Sequence, residues 1–357
     1  MAAADYVPEA IAIGIGPQTG LGAVNTSVRD AVNLLPIAAA GTNATGILLR
    51  ADSDLSQAFE RIESDGGRSP GTLSRLSGEL SRVDPTISFT IDMQGNLIAT
   101  GTPDAGDFDA PVYLSELYRG NRLGLQSSLS TGSAYFYNTQ TDYETLKIWR
   151  GINAPGADEA WVLVDCTFNL SWNFTAGEKS TLLVDVFANS VQYQSTATYP
   201  TNTGSTAYGN QVLAAPILQL AAATINSQVR GFVSASLGST YPDIEVPDSN
   251  VSGGITNVIG QPRTVEFQAS WYVEKDEYDY PMLENASSAV VPVEFTLGQA
   301  AGAGELANAW KFTIANLRVT DETKEDSDAL RVLRSITGYA TVSGGGTDNE
   351  ELVLTAV

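Results

Sequence analysis

The sequence predicts a mainly β protein: two tandem β-sandwich or barrel domains, each with a short flanking helix, behind an extended N-terminal arm. Three observations predict it. Apolar residues recur at every second position over long runs, the order of elements in the first half returns in the second, and the dipeptide Ala-Trp opens a long hairpin in each half.

From the N-terminus to about residue 50, Gly, Pro and Ala mix with isolated apolar residues without a sustained period, which predicts an extended arm over 1–50. The segment IAIGIGPQTGLG has the glycines of a dinucleotide fingerprint. A motif opening at Gly14 and Gly16 needs its third glycine where Thr19 stands, however, and Pro17 occupies the turn, so a glycine-rich connector is the expectation. Leu55, Phe59 and Ile62, then Leu73, Leu76 and Leu80, recur at helical spacing and predict two short helices separated by Gly66, Gly67 and Pro70. A long loop crossing a sheet face is the alternative.

The period then changes to two. Ile87, Phe89, Ile91 and Met93 alternate with Thr86, Ser88, Thr90 and Asp92 after Asp84-Pro85, the pattern of a strand with one face on a core. PVYLSELYRG at 111–120 reads as helical. After Trp161, Val162 through Phe174 is apolar at even positions, while Asp165, Thr167, Asn169, Ser171 and Asn173 take the other face. Gly177, Glu178 and Lys179 make a turn, and Thr181 to Ala188 returns as the second arm of a hairpin.

The second half uses the same vocabulary. Val265, Phe267, Ala269, Trp271 and Val273 alternate with polar residues, residues 276–289 are a helix candidate containing Pro281, and Val293, Phe295 and Leu297 alternate again. A hairpin opening at Trp310 follows, as one opens at Trp161 in the first half. The expected division is an arm at 1–50, a first β domain at 51–195, a Thr-, Ser- and Tyr-rich linker at 196–221 and a second β domain at 222–357.

Composition limits the chemistry. With no histidine, imidazole acid/base catalysis, the Ser-His-Asp arrangement and imidazole zinc sites are excluded. Cys166 is the one cysteine, so an intrachain disulfide is impossible; its place in an alternating strand predicts a buried, inert thiol. The formal charge is −22, which argues against docked nucleic acid, because phosphate binding draws on Lys and Arg. Residues 1–9 lack a basic stretch followed by an apolar one, and no run approaches the ~18 apolar residues of a membrane span. The expectation is a chain soluble when made.

Two carboxylate readings are weak. Glu277 with Asp279, and Glu325 with Asp326, lie in polar segments where solvation is the ordinary outcome of such pairs. The run DETKEDSD at 321–328 lacks the glycine and terminal Glu of the twelve-residue calcium loop, and predicts a solvated hairpin turn.

Five segments taken in order resemble the tail tube proteins of long-tailed, non-contractile bacteriophages in their two-domain version. They are IGIGPQTGLGAV, RVDPTISFTID, DCTFNLSWNFTAGEKSTLLVDVFANSV, TVEFQASWYVEKDEYDYPMLENA and SITGYATVSGGGTDNEELVLTAV. The Thr-rich stretch at 199–210 departs from the family pattern. The resemblance implies two tandem tail-tube-like domains in a structural subunit of the virion tail, made in the host cytoplasm, with no enzymatic activity, cofactor or metal. It implies self-assembly into stacked rings, three chains supplying six domains with pseudo-sixfold symmetry, in contact with other tail proteins and with no membrane. DNA would cross the lumen during ejection without specific binding. The polar sides of the long strands, Asp165, Asn169 and Asn173 in the first half and Glu266, Gln268 and Glu274 in the second, are the candidate lumen-facing residues. The competing reading is a carbohydrate- or receptor-binding β-sandwich module of a virion or cell surface.

Overall fold

A computed structural model describes residues 10–31, 45–47, 56–63, 80–93, 97–98, 108–109, 112–126, 134–137, 143–151, 159–195, 197, 200, 220–226, 228–240, 245–247, 255–257, 263–273, 290–299, 308–327, 331–341 and 351–356. The first part of the chain holds β1 (Ala10–Pro17), α1 (Thr26–Arg29), β2 (Thr45–Gly46), β3 (Ser56–Glu63), β4 (Leu80–Asp92), β5 (Leu97–Ile98), β6 (Phe108–Asp109), α2 (Val112–Gly120), β7 (Leu123–Gln126), β8 (Ala134–Tyr137), β9 (Glu144–Gly151), β10 (Glu159–Thr175), β11 (Thr181–Phe187) and β12 (Ser190–Gln194). The remainder holds β13 (Leu220–Ile225), β14 (Gln228–Arg230), β15 (Phe232–Thr240), β16 (Glu245–Pro247), β17 (Ile255–Asn257), β18 (Thr264–Tyr272), β19 (Val290–Gln299), β20 (Asn308–Ser327), β21 (Arg331–Ala340) and β22 (Val353–Ala356). The protein is mainly antiparallel β.

Two long strands organise it. β10 has 17 residues and β20 has 20, enough for each to belong to two sheets in succession. The first half of β10 lies between β9 and β12, with β1 and β2 beyond β9; its second half lies between β11 and β15, with β4 and β3 beyond β11. The first half of β20 lies between β19 and β22, with β13 and β14 beyond β19; its second half pairs with β21, which continues to β18 and β15. The strands β1, β3, β4, β9, β10, β11 and β12 therefore occupy the same places as β13, β15, β18, β19, β20, β21 and β22. Trp161 and Trp310 hold matching positions, opposite Ile148 of β9 and Leu297 of β19. The helix expected at 276–289 lies outside the described residues.

The two sets share a sheet and a core. Residues Leu170 to Thr175 of β10 pair with Ser239 to Ser234 of β15, giving a continuous eight-stranded order β3-β4-β11-β10-β15-β18-β21-β20. Phe174 of the first set meets Phe295 and Phe312 of the second at centroid separations of 5.3 and 5.5 Å, and Phe295 stacks on Phe312 at 4.8 Å. Tyr118 on α2 packs edge-on to Trp310 and tilted against Trp172. On α2, Tyr113, Leu114, Leu117 and Tyr118 form one buried stripe at helical spacing.

Several expectations are corrected. Residues 10–17 are not part of an arm: β1 is an interior strand between β2 and β9, with Ile13 and Ile15 buried. Its alternation Ile11, Ile13, Ile15 is a strand period carried on glycine and alanine neighbours. Residues 56–63 form strand β3 in place of a helix, because pairing along β4 outweighs the apolar spacing. Leu80 belongs to β4, which passes through Pro85; a proline fits there because β4 has only β3 beside it until Thr86 meets β11. Residues 321–327 extend β20 and are not a turn. The expected linker at 196–221 lies outside the described residues except for 197, 200 and 220–221, the last two already in β13.

Candidate functional site: the open face of the eight-stranded sheet

Period-two alternation gives the eight-stranded sheet two unlike faces. One is the core face, carrying Ile87, Phe89, Ile91, Phe168, Leu170 and Trp172 among others. The other is polar and reaches solvent, and cross-strand register arranges its side chains in rows. One row runs Asp92, Thr181, Asn173, Ser236, Gln268, Thr337, Asp321. The next runs Thr175, Ser234, Ser270, Ser335, Thr323, five small hydroxyl residues on five successive strands. Ser234 and Ser270 share a hydrogen bond of 2.7 Å. Where these rows cross the junction of β10 and β15 the small side chains leave a hollow of about 330 Å³ with Asn173, Ser236 and Gln268 on its wall.

Among the described side chains, charge on this face is sparse and mostly negative. Asp92, Asp185, Glu266, Asp321 and Glu325 stand on it by register, against Arg318, Arg331 and Lys179 at its turn. Lys179 lies 3.4 Å from Asp92, the Ser88 hydroxyl donates to Asp185 at 2.7 Å, and the Arg331 guanidinium sits 5.5 Å from the Tyr272 ring centre.

Four of the six sequence candidates meet on this face. Asn173 and Gln268 share a row through Ser236, Glu266 lies one row away opposite Gly238, and Asn169 stands opposite Asp185. Glu274 lies outside the described residues. Asp165 does not belong with them. It is 2% exposed and sits where β10 passes from one sheet to the other, at a bulge between Leu163 and Cys166, with φ of 57°. A left-handed residue inverts the alternation there, and Asp tolerates that conformation better than most side chains. Its carboxylate accepts from Gln18 Nε2 at 3.0 Å, the Gly22 amide at 2.8 Å and Asn189 Nδ2 at 3.4 Å, while its own amide donates to Gln18 Oε1 at 2.7 Å. Asp165 is a structural pivot.

The hydroxyl row escaped sequence reasoning. The readable signal was FVSASLGST at 232–240, where Ser234, Ser236 and Gly238 alternate with Ala235 and Leu237 in a strand of small residues. Neighbouring Cys166 is buried, and desolvation raises its thiol pKa well above the ordinary value, which keeps it in the unreactive thiol form. Among the described residues no cluster of His, Cys, Asp and Glu is arranged to hold a metal ion, and no helix is long and apolar enough to cross a membrane. No protein-family model matches the sequence, and a search of curated proteins gives no match either.

Proposed function

We propose that this chain is the subunit of a phage-type tail tube: two tube-like β domains per chain, three chains per ring, and rings stacked around a lumen through which DNA passes. One observation carries the reading. The eight-stranded sheet repeats a four-strand order twice and, among the described residues, ends on two unpaired edges, β3 on one side and β20 beyond Arg318 on the other. A long sheet with open edges favours pairing with another chain, and a ring of such pairings removes every edge. Isologous pairing of β3 with β3 closes a dimer, whereas β3 against β20 generates a ring.

The polar face is the natural wall of such a lumen. Its hydroxyl and amide groups stay hydrated, and its few carboxylates outnumber its cations, so a polyanion finds little to bind. Asn169, Asn173, Glu266 and Gln268 are assigned to that wall. Negative-stain electron microscopy of the purified protein at high concentration tests the proposal. Rings or tubes with a central channel support it, and a uniform field of single chains opposes it.

A further inference from the structure

The open face of the eight-stranded sheet carries two exposed tyrosines with the hollow between their rows, and we propose that this trough binds a linear, uncharged oligosaccharide. The inference goes beyond the tube reading and does not rest on it, because it needs only the face of one chain.

Tyr272 of β18 and Tyr339 of β21 are each 37% exposed. Alternation puts both on the open face: Tyr272 shares its side of β18 with Gln268 and Ser270, and Tyr339 shares its side of β21 with Ser335 and Thr337. Tyr272 stands opposite Leu333 and Tyr339 opposite Glu266. Their rows are therefore about 20 Å apart along the strands, at about 3.4 Å per residue, which is the length of about four pyranose rings in a chain. The core lies on the other side of the sheet, and neither ring belongs to it.

Between the two rows lies the hollow of about 330 Å³, a volume within the range of small-ligand sites. Its lining includes the hydroxyls of Ser234, Ser236, Ser270 and Ser335 and the carboxamides of Asn173 and Gln268. Leu333 adds an apolar contact at the Tyr272 end. Among the described residues, none that lines it is charged. Each hydroxyl can donate and accept, and each carboxamide offers a donor beside an acceptor, which complements the neighbouring hydroxyl pairs of a sugar. The C–H face of a pyranose is apolar and packs on an aromatic ring, while its hydroxyl rim reaches sideways to such groups.

The ends of the trough favour neither sign of charge. At one end the Arg331 guanidinium sits 5.5 Å from the Tyr272 ring centre, and Glu325 stands opposite Leu333. At the other, Tyr339 has Glu266 on one side and Arg318 on the other. A polyanion needs a surplus of cations that this pairing does not supply. An extended peptide gains its affinity by adding a strand at a sheet edge, and the backbone beneath this trough is already paired on both sides. A neutral chain of hydroxyls meets neither obstacle.

The experiment uses dilute purified chain on an array of linear neutral and acidic glycans, followed by calorimetric titration with a soluble hexasaccharide of the type retained. Retention of a neutral glycan is expected, and Tyr272→Ala, Tyr339→Ala and Gln268→Ala should each weaken it by about tenfold. Tyr193→Ala, which removes an exposed ring from the sheet of β1, β9, β10 and β12, should bind like the wild type. Circular dichroism checks that each variant is folded. The proposal is overturned if no neutral glycan is retained, if acidic glycans are preferred, or if Tyr193→Ala weakens binding as much as Tyr272→Ala does. Failure of the tube reading would appear separately, as the absence of rings in the electron microscope, and would leave the glycan measurement unchanged.

Discussion

Asn121 splices the backbone of β10 to that of β15: its side-chain nitrogen donates to the Phe168 carbonyl at 2.7 Å and to the Ser239 carbonyl at 3.1 Å, and its oxygen accepts the Ser239 hydroxyl at 2.7 Å. Both residues are completely buried, at the point where the β10–β15 ladder ends. The amide acts as one more rung between the two sets of strands. Gly120 makes this possible, because a Cβ there would stand 2.3 Å from the Phe168 ring.

Asn121→Ala leaves two buried carbonyls and a hydroxyl without these partners and should cost about 1–3 kcal/mol. Ser239→Ala removes one bond and should cost less. Urea unfolding checks the order, with a lowered midpoint and an unchanged slope for both.

Replacing Asp165 probes the bulge. Asp165→Ala loses every acceptor that holds Gln18, Gly22 and Asn189 to this point and should lower stability by about 2–3 kcal/mol. Asp165→Asn keeps an acceptor oxygen and the tolerance for a left-handed backbone, so it should cost clearly less. Thermal unfolding of the two variants side by side distinguishes this pivot from an ordinary surface carboxylate, for which both changes would be nearly silent.

Much of the β architecture was legible because burial imposes period two directly on sequence. The hairpin from Trp161 to Ala188, the strands at 264–272 and 290–299 and the repeated order of the strands are examples. β1 was hidden because glycine and alanine take the places where a polar alternation would normally be read. β3 was hidden because Phe59 and Ile62 fit a helix in isolation, and only the partner strand β4 decides otherwise. Asp165 was misplaced for a related reason. Alternation extrapolated across a bulge inverts inward and outward, and a single left-handed residue inside a long apolar run leaves no pattern of its own.

Lys147 should give the stability curve a signature at alkaline pH. It is 3% exposed beneath α1, its ammonium donates to the Arg29 carbonyl at 2.5 Å, and it lies 4.7 Å from the Trp149 ring centre. Burial pulls its pKa down to about 8, with Asp30 opposing that shift and Arg29 adding to it. Between that value and the ordinary lysine range the unfolded chain holds a proton that the folded chain has lost, so stability rises with pH across this window. Below it both states are protonated and the contribution is flat. Lys147→Met should lack the rise, and unfolding measured at about pH 7.5 and about pH 10 for both proteins shows whether it does.

If the open face is the wall proposed above, charge reversal on it should create an affinity for DNA. Glu266 and Asp321 are both exposed there, and Glu266→Lys with Asp321→Lys leaves the core untouched. The assembled variant should retain duplex DNA at about 50 mM salt and release it steeply as salt rises, since each neutralised phosphate returns a counterion. Equal retention by the wild type at the same salt would mean that these rows do not set the character of the wall.

The number of chains in a ring bears most directly on the central claim. If each chain supplies two equivalent four-strand units and the β3 edge joins the β20 edge of the next copy, native mass spectrometry of isolated rings should give the mass of three chains and stacked species in multiples of three. A ring of six chains, or a dimer that persists at every concentration, would contradict it.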